Sequence, residues 1–306
     1  MKKNLPRREF LKTSLIVGAG AMITASEPFS FMGAPPAAAA FPDLAVAQGP
    51  SPAKVTTAAL GALGGIGRFI SKGDVVVIKP NIGWDKIPEQ AANTNPEVVA
   101  TLIELCFSAG AHKIKIFDNT CNESRRCYTN SGIMAAALAK GAEVTYFDSR
   151  KLKDVKLQGQ RLKSWPIYTE LLEADKIINV PIAKHHGMAT LTMAMKNWMG
   201  VIGGHRAQFH QDFEHCLADI ATVIKPTLTV LDAVRILVNN GPQGGSLADV
   251  RKKDTIIAGV DQVAVDAYGA TLFGRKAGEL PYLLKAEEMG LGRTDLKKLK
   301  IQNIKV

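Results

Sequence analysis

The chain has 306 residues, 46% of them apolar and 22% charged, enough to bury the core of one large domain or two small ones. Thirty-eight lysines and arginines against 28 aspartates and glutamates leave a net charge of +10, a balance that attracts small anions. No basic motif interleaved with aromatics is present, so nucleic acid is not an expected partner, and beyond residue 25 no apolar run is long enough to span a bilayer.

Arg7-Arg8, followed by Phe10-Leu11-Lys12 and an uncharged apolar run, forms the pattern of a twin-arginine export signal. Leu15 to Ala25 is too short for a spanning helix, so processing is expected, with an uncleaved anchor as the alternative. Small-x-small sites occur at Ala45-Val46-Ala47, before Gln48, and at Ala38-Ala39-Ala40, before Phe41. The expected organisation is a signal peptide and linker over residues 1–47 and a single domain over 48–306. The twin-arginine translocase would deliver that domain to the periplasm or an equivalent exported location.

Six apolar runs follow in order: "DVVVIKP", "HKIKIFDN", "AEVTYFD", "DKIINVPIA", "TLTVLDAV" and "DTIIAGVD". Rich in Val and Ile on both faces and separated by helical periodicity, they predict an α/β fold, doubly wound around a mostly parallel sheet. Asn95 caps the first intervening helix with Pro96 at its first position, and Gly110 closes it. Ser131 and Gly141 bracket the next helix in the same way. "LKDVKLQGQRLKSWPIY" predicts a small inserted hairpin turning at Gln158-Gly159.

Of four cysteines, Cys106 and Cys216 fall on apolar helical stripes and read as core thiols. Cys121 and Cys127, in a polar loop after a strand, read as a disulfide or two free thiols in preference to metal ligands. No C-x-x-C is present, and an iron–sulfur cluster wants four grouped thiolates, so none is expected.

Ligands of open α/β sheets bind beyond the carboxyl ends of the strands. Those ends carry Lys79-Pro80-Asn81, Asp118-Asn119-Thr120, Lys184-His185-His186, Asp232, and Asp261 with Asp266. Taken singly, Asp232 and Asp266 read equally well as loop or helix caps. Pro181 to Val201, "PIAKHHGMATLTMAMKNWMGV", sets Lys196 and Asn197 among methionines. Because an ammonium in so apolar a segment needs a compensating partner, Lys196 is expected to face the crevice and pair with Asp232, Asp261 or Asp266. Further on, "GGHRAQFHQDFEHC" supplies His205, Arg206, His210 and His215, with Glu214 four residues after His210. His185 and His210, joined by an aspartate, are the candidate ligands of a divalent metal, the alternative being surface or capping histidines. The loop "NNGPQGG", 239–245, has the flexibility to cradle an anion with backbone amides.

The series "KPN", "TNPEVVATLIE", "AGAHKIKIFDN", "VPIAKHHGMATLTMAMKNWMG", "RAQFH", "LTVLDAV", "NNGPQGG" and "AGVDQVAVDAYGATLFG" resembles the domain-of-unknown-function family DUF362, from Asp74 to Val306. That resemblance implies an α/β fold. Many members carry a ferredoxin-like cysteine module, which has no counterpart in this chain. A fainter similarity is to the nickel-pincer lactate racemases, whose ordered His, Lys, His set around a cofactor is matched by His186, Lys196 and His210.

The expected function is an exported, enzyme-like domain that binds a small anion at the sheet edge. Lys79 and Lys196 would neutralise the anion, and Asn81 and Asn197 would orient it. His185 and His210 would ligate a metal or transfer protons, and Lys196, His185 and His210 are the candidate catalytic residues. A binding or cofactor-handling protein with the same pocket is the rival reading.

Overall fold

The computed structural model describes residues 41–306. The twin-arginine motif and the site after Ala40 lie outside these residues. Strand β1 (Leu44–Gln48) leads to helix α1 (Pro52–Ala62), whose N-cap Ser51 accepts from the Lys54 N–H. Then come β2 (Val75–Pro80), α2 (Pro96–Ser108), β3 (Lys113–Ile116), α3 (Ser124–Asn130), α4 (Ile133–Ala139) and β4 (Glu143–Val144). Asn95 caps α2 by accepting from the Glu97 N–H, with Pro96 in its first turn. The predicted cap at Ser131 moves by one residue: Gly132, at φ 72°, precedes α4, because Ser131 still closes α3 and the chain must reverse between them.

An antiparallel ribbon of β5 (Leu152–Lys156) and β6 (Ser164–Tyr168) comes next. Its connection is longer than the predicted tight turn. The buried carboxylate of Asp219 organises it by accepting from the N–H groups of Gln160, Arg161 and Leu162. The chain continues through α5 (Thr169–Leu172), β7 (Lys176–Val180), β8 (Ile182–His186), β9 (Thr190–Thr192), α6 (Ala194–Asn197) and α7 (Phe213–Ala221). It ends with β10 (Leu228–Leu237), β11 (Val250–Gly259), α8 (Gln262–Thr271), α9 (Pro281–Glu288) and β12 (Ile301–Lys305).

The main sheet runs β12-β1-β11-β10-β7-β2-β3-β4. From β10 to β4 every neighbour is parallel, whereas β11 is antiparallel to both β10 and β1. The α/β class and the mostly parallel sheet expected from the sequence are those of the molecule. Helices cover both faces, and strand residues alternate between two cores. Val76 and Ile78 pack on the face that holds α1 and α2, and Val77 on the face that holds Trp198, α7 and α8.

The boundary at residue 47 is corrected. Leu44, Ala45 and Ala47 have no exposed surface, and β1 is paired along its length with β11 on one side and β12 on the other. Cleavage after Ala47 would cut out an interior strand. No helix among the described residues is long and apolar enough to cross a membrane.

Candidate functional site

A parallel strand of period two sends alternate side chains to opposite faces. Lys79 therefore shares the face of Val77, beneath the segment from α6 to Gly200. It is completely buried, with its ammonium 2.9 Å from Asp118 Oδ1, just past β3, and donating to Asn197 Oδ1 at 2.7 Å. Asp118 Oδ2 accepts from the Ile82 N–H at 2.6 Å. Burial pulls the Lys79 pKa down, opposed by the Asp118 charge. Gly200 lies directly over the pair: a Cβ there would fall 1.7 Å from Asp118 Oδ1 and 2.5 Å from Lys79 Nζ, so only glycine lets the backbone approach so closely.

Asn197 ties this floor together. Its amide donates to the Lys79 carbonyl at 3.1 Å and to Asn179 Oδ1 at 2.8 Å, while its oxygen accepts from Lys79 and, at 3.4 Å, from Asn81. Both Lys79 and Asn197 are thus committed to protein partners, and the roles of neutralising and orienting a ligand pass to other side chains.

Above the floor lies a cavity of about 250 Å³, lined among others by Trp84, Cys121, Lys184, His186, Lys196, Arg206 and His210. Lys184 enters from β8, donating to Asn81 Oδ1 at 3.0 Å and to the Ala92 carbonyl at 2.5 Å; burial pushes its pKa down to about 7. Arg206 is held by the carbonyls of Asn119, Met199 and Thr120 at 2.9, 3.1 and 3.3 Å. His186 Nδ1 accepts from the N–H groups of Met188 and Ala189, each at 3.1 Å, so Nε2 carries the proton of the neutral ring. Burial first, then the charges of Lys196 and Lys184, depress its pKa to about 3. His210, on an exposed 3-10 turn, has its ring centroid 6.3 Å from that of His186; burial and Lys196 lower its pKa too.

Lys196 answers the sequence differently from the expectation. It lines the cavity at 8% exposure, yet none of Asp232, Asp261 and Asp266 is its partner. Its ammonium touches Met199 Sδ at 3.5 Å and sits 4.7 Å from the centre of the Phe213 ring. Burial brings its pKa down to about 8. The three aspartates serve backbone amides instead. Asp232 accepts from Asn95 and Val234, Asp261 caps α8 through Val263 and Ala264, and Asp266 accepts from Ala194 and Met195. Burial raises Asp232 to about 6 and Asp266 to about 7. By gripping the start of α6, Asp266 places Lys196 without touching it.

The His185–His210 metal pair is also corrected. Along β8, Lys184 and His186 face the cavity and His185 the opposite side, where its Nδ1 accepts from the Gly241 N–H at 3.1 Å. His185 borders a separate cavity of about 320 Å³ with Arg251, Lys253 and Arg275. His215 pairs with Asp212 at 2.9 Å, at the start of α7. Among the described residues no group of three or more His, Cys, Asp and Glu side chains is placed to hold a metal ion. His185 and His210 thus do not converge as a ligand pair, and no step is routed through a metal. Cys121 and Cys127 form no disulfide: Cys127 is buried, while Cys121 is an exposed thiol on the cavity wall.

His186, Lys196 and His210, spaced apart in sequence, do line one cavity. The sequence alone assigns no ligand role to Lys184 or Arg206. Alternation along "IAKHH" would have placed Lys184 with His186, but Arg206 carries no local signal.

Residues 76–271 match the family described as Domain of unknown function (DUF362). The thylakoid-associated protein sll1697 of Synechocystis sp. is 28% identical over 240 residues, covering 76% of this chain and 73% of that protein. Two solved structures are similar in fold. One is a protein from Thermotoga maritima, at TM-score 0.50 and 11% identity over 74% of this chain and 60% of that one. The other is the lactate racemase apoprotein from Thermoanaerobacterium thermosaccharolyticum, at TM-score 0.45 and 12% identity over 79% and 56%. The chain spans less than two thirds of each of these two structures.

Proposed function

The chain belongs to the DUF362 family, and we propose that it is an exported, enzyme-like domain whose basic cavity binds a small carboxylate-type anion and moves a proton on it. One observation carries this reading. Lys184, Lys196 and Arg206 converge on a cavity whose only carboxylate among the described residues, Asp118, is already matched to Lys79. Positive heads held in a low-dielectric recess without a counter-charge favour an incoming anion. His210, shifted toward neutrality, is the group for proton transfer, and His186, fixed as a neutral Nε2–H donor, orients the anion by a hydrogen bond.

Cys121 provides a reporter at the cavity wall. Free thiols react more slowly with iodoacetate than with neutral iodoacetamide, whereas a cation-lined recess gathers the anionic reagent. The expected result is a relative preference for iodoacetate at Cys121 about tenfold above that of the same cysteine in the unfolded chain. The preference should shrink in Lys184→Met and Lys196→Met and at high salt. A ratio equal to the unfolded chain's would remove the anion reading.

Export rests on Arg7-Arg8 with Phe10-Leu11-Lys12. Processing after Ala40 leaves β1 whole. Changing both arginines to lysine is expected to strand the precursor in the cytoplasm; undiminished yield of periplasmic protein would count against this part.

A further inference from the structure

Resting on the anion reading of the same cavity, we infer that its ligand carries a carbonyl beside the carboxylate, as in a 2-oxo acid, and that Lys196 Nζ forms an imine with that carbonyl.

The three cationic side chains are not equivalent. Lys184 spends hydrogen bonds on Asn81 Oδ1 and the Ala92 carbonyl, and Arg206 on three backbone carbonyls. Each is a fixed donor with N–H groups to spare, the arrangement that anchors a carboxylate. Lys196 has no oxygen acceptor among the described residues. A thioether sulfur at 3.5 Å and the face of Phe213 are its polar and aromatic neighbours. The Phe213 face supports the ammonium less than an oxygen acceptor would, and burial lowers its pKa to about 8, so a fraction of Lys196 is free amine near neutral pH. A neutral amine in a cavity is a nucleophile for carbonyl carbon. An amine needed only to balance charge would be expected to have acceptors as Lys184 does.

The step balances without an oxidant or reductant. The Nζ lone pair attacks the carbonyl carbon, and the carbonyl π pair moves to oxygen, which takes a proton. Nitrogen loses a proton, giving a carbinolamine. Loss of the hydroxyl with one further proton releases water and leaves the C=N bond. His210, as a neutral base, takes each proton from nitrogen and returns it to oxygen, while His186 holds and polarises that oxygen through a hydrogen bond from Nε2–H.

The test is reductive trapping on the full-length purified protein, with glyoxylate or pyruvate and cyanoborohydride, read by intact mass and peptide mapping. The expected result is one reduced adduct per chain, at Lys196, absent in Lys196→Arg and formed faster as pH rises through about 8. Lys184→Met should slow trapping by about tenfold while leaving Lys196 the labelled residue. Acetaldehyde, which lacks the carboxylate, should label Lys196 poorly; equal labelling would overturn the 2-oxo acid assignment. Adducts scattered over surface lysines, with Lys196 unmodified, would overturn the imine. Should that scatter coexist with an iodoacetate preference at Cys121, the anion reading stands and the imine alone fails. Loss of both would remove the reading on which the imine rests.

Discussion

Asp118→Asn is expected to destabilise the fold by about 3–5 kcal/mol at neutral pH, the cost of stranding one member of a buried ion pair. The substitution is close to isosteric, and the amide oxygen it introduces can still accept from the Ile82 N–H, as Asp118 Oδ2 does at 2.6 Å. What disappears is the charge 2.9 Å from Lys79 Nζ. The Lys79 pKa, already lowered by burial, falls further once Asp118 no longer supports the ammonium. An unfolded lysine keeps its proton to about pH 10. Between the two pKa values the unfolded chain binds more protons than the folded one, so the variant gains stability as pH rises through that window. Urea denaturation from neutral to alkaline pH should show the deficit narrowing. Adding Lys79→Met should recover much of it at pH 7. A deficit that is independent of pH and untouched by Lys79→Met would mean that the pair is not the source.

Lys184→Met should act in the opposite direction. Lys184 is 1% exposed, with neutral acceptors only, and its folded pKa of about 7 lies well below the ordinary 10.5. Below that folded value the native protein carries the ammonium at full desolvation cost, on the order of several kcal/mol at about 1.4 kcal/mol per pKa unit. Methionine removes this cost but leaves the Ala92 carbonyl and Asn81 Oδ1 without their donor, a loss of roughly 1–3 kcal/mol. The net expectation is stabilisation by about 1–3 kcal/mol near pH 6. Wild-type stability rises with pH from about 7 toward 10.5, because there the unfolded chain holds the extra proton. The variant lacks this rise, so its advantage fades at alkaline pH. Anion affinity should fall together with this gain in stability, separating a functional lysine from a structural one. A variant less stable than wild type near pH 6 would contradict the account.

The fold was legible where strands advertise themselves locally. Runs such as "DVVVIKP" and "DKIINVPIA" are apolar on both faces and punctuated by Gly and Pro, so α/β layering follows from the sequence. Leu44–Gln48 is hidden in the sequence because its alanines blend into the alanine-rich stretch before it and its partners lie more than 200 residues away, Leu44 opposite Gly259. The site divides along the same line. That Lys184 and His186 share a face, and His185 does not, follows from period two alone. Pairing Lys79 with Asp118 requires knowing that β2 lies beside β3, and the occupation of Asp266 by Ala194 and Met195 spans some seventy residues. Without that knowledge a strand-end aspartate and a buried lysine invite each other, and Lys196 is drawn toward carboxylates that in the fold serve backbone amides.

The place of Leu44–Gln48 in the sheet bears on the order in which the protein can be completed. Synthesis runs from the N-terminus, so this strand is among the first described segments to leave the ribosome, but one flank must wait for Val250–Gly259 and the other for Ile301–Lys305. Until then an apolar strand has both edges open, a condition that recruits holdases or invites stray pairing. The half of the sheet made from β2, β3 and β7 can assemble earlier, since its pairings involve only residues 75–180. A nascent chain therefore carries a formed centre and an unfinished margin until Ile301–Lys305 has emerged, and whether Leu44–Gln48 is closed in on both flanks reports whether synthesis has passed that strand.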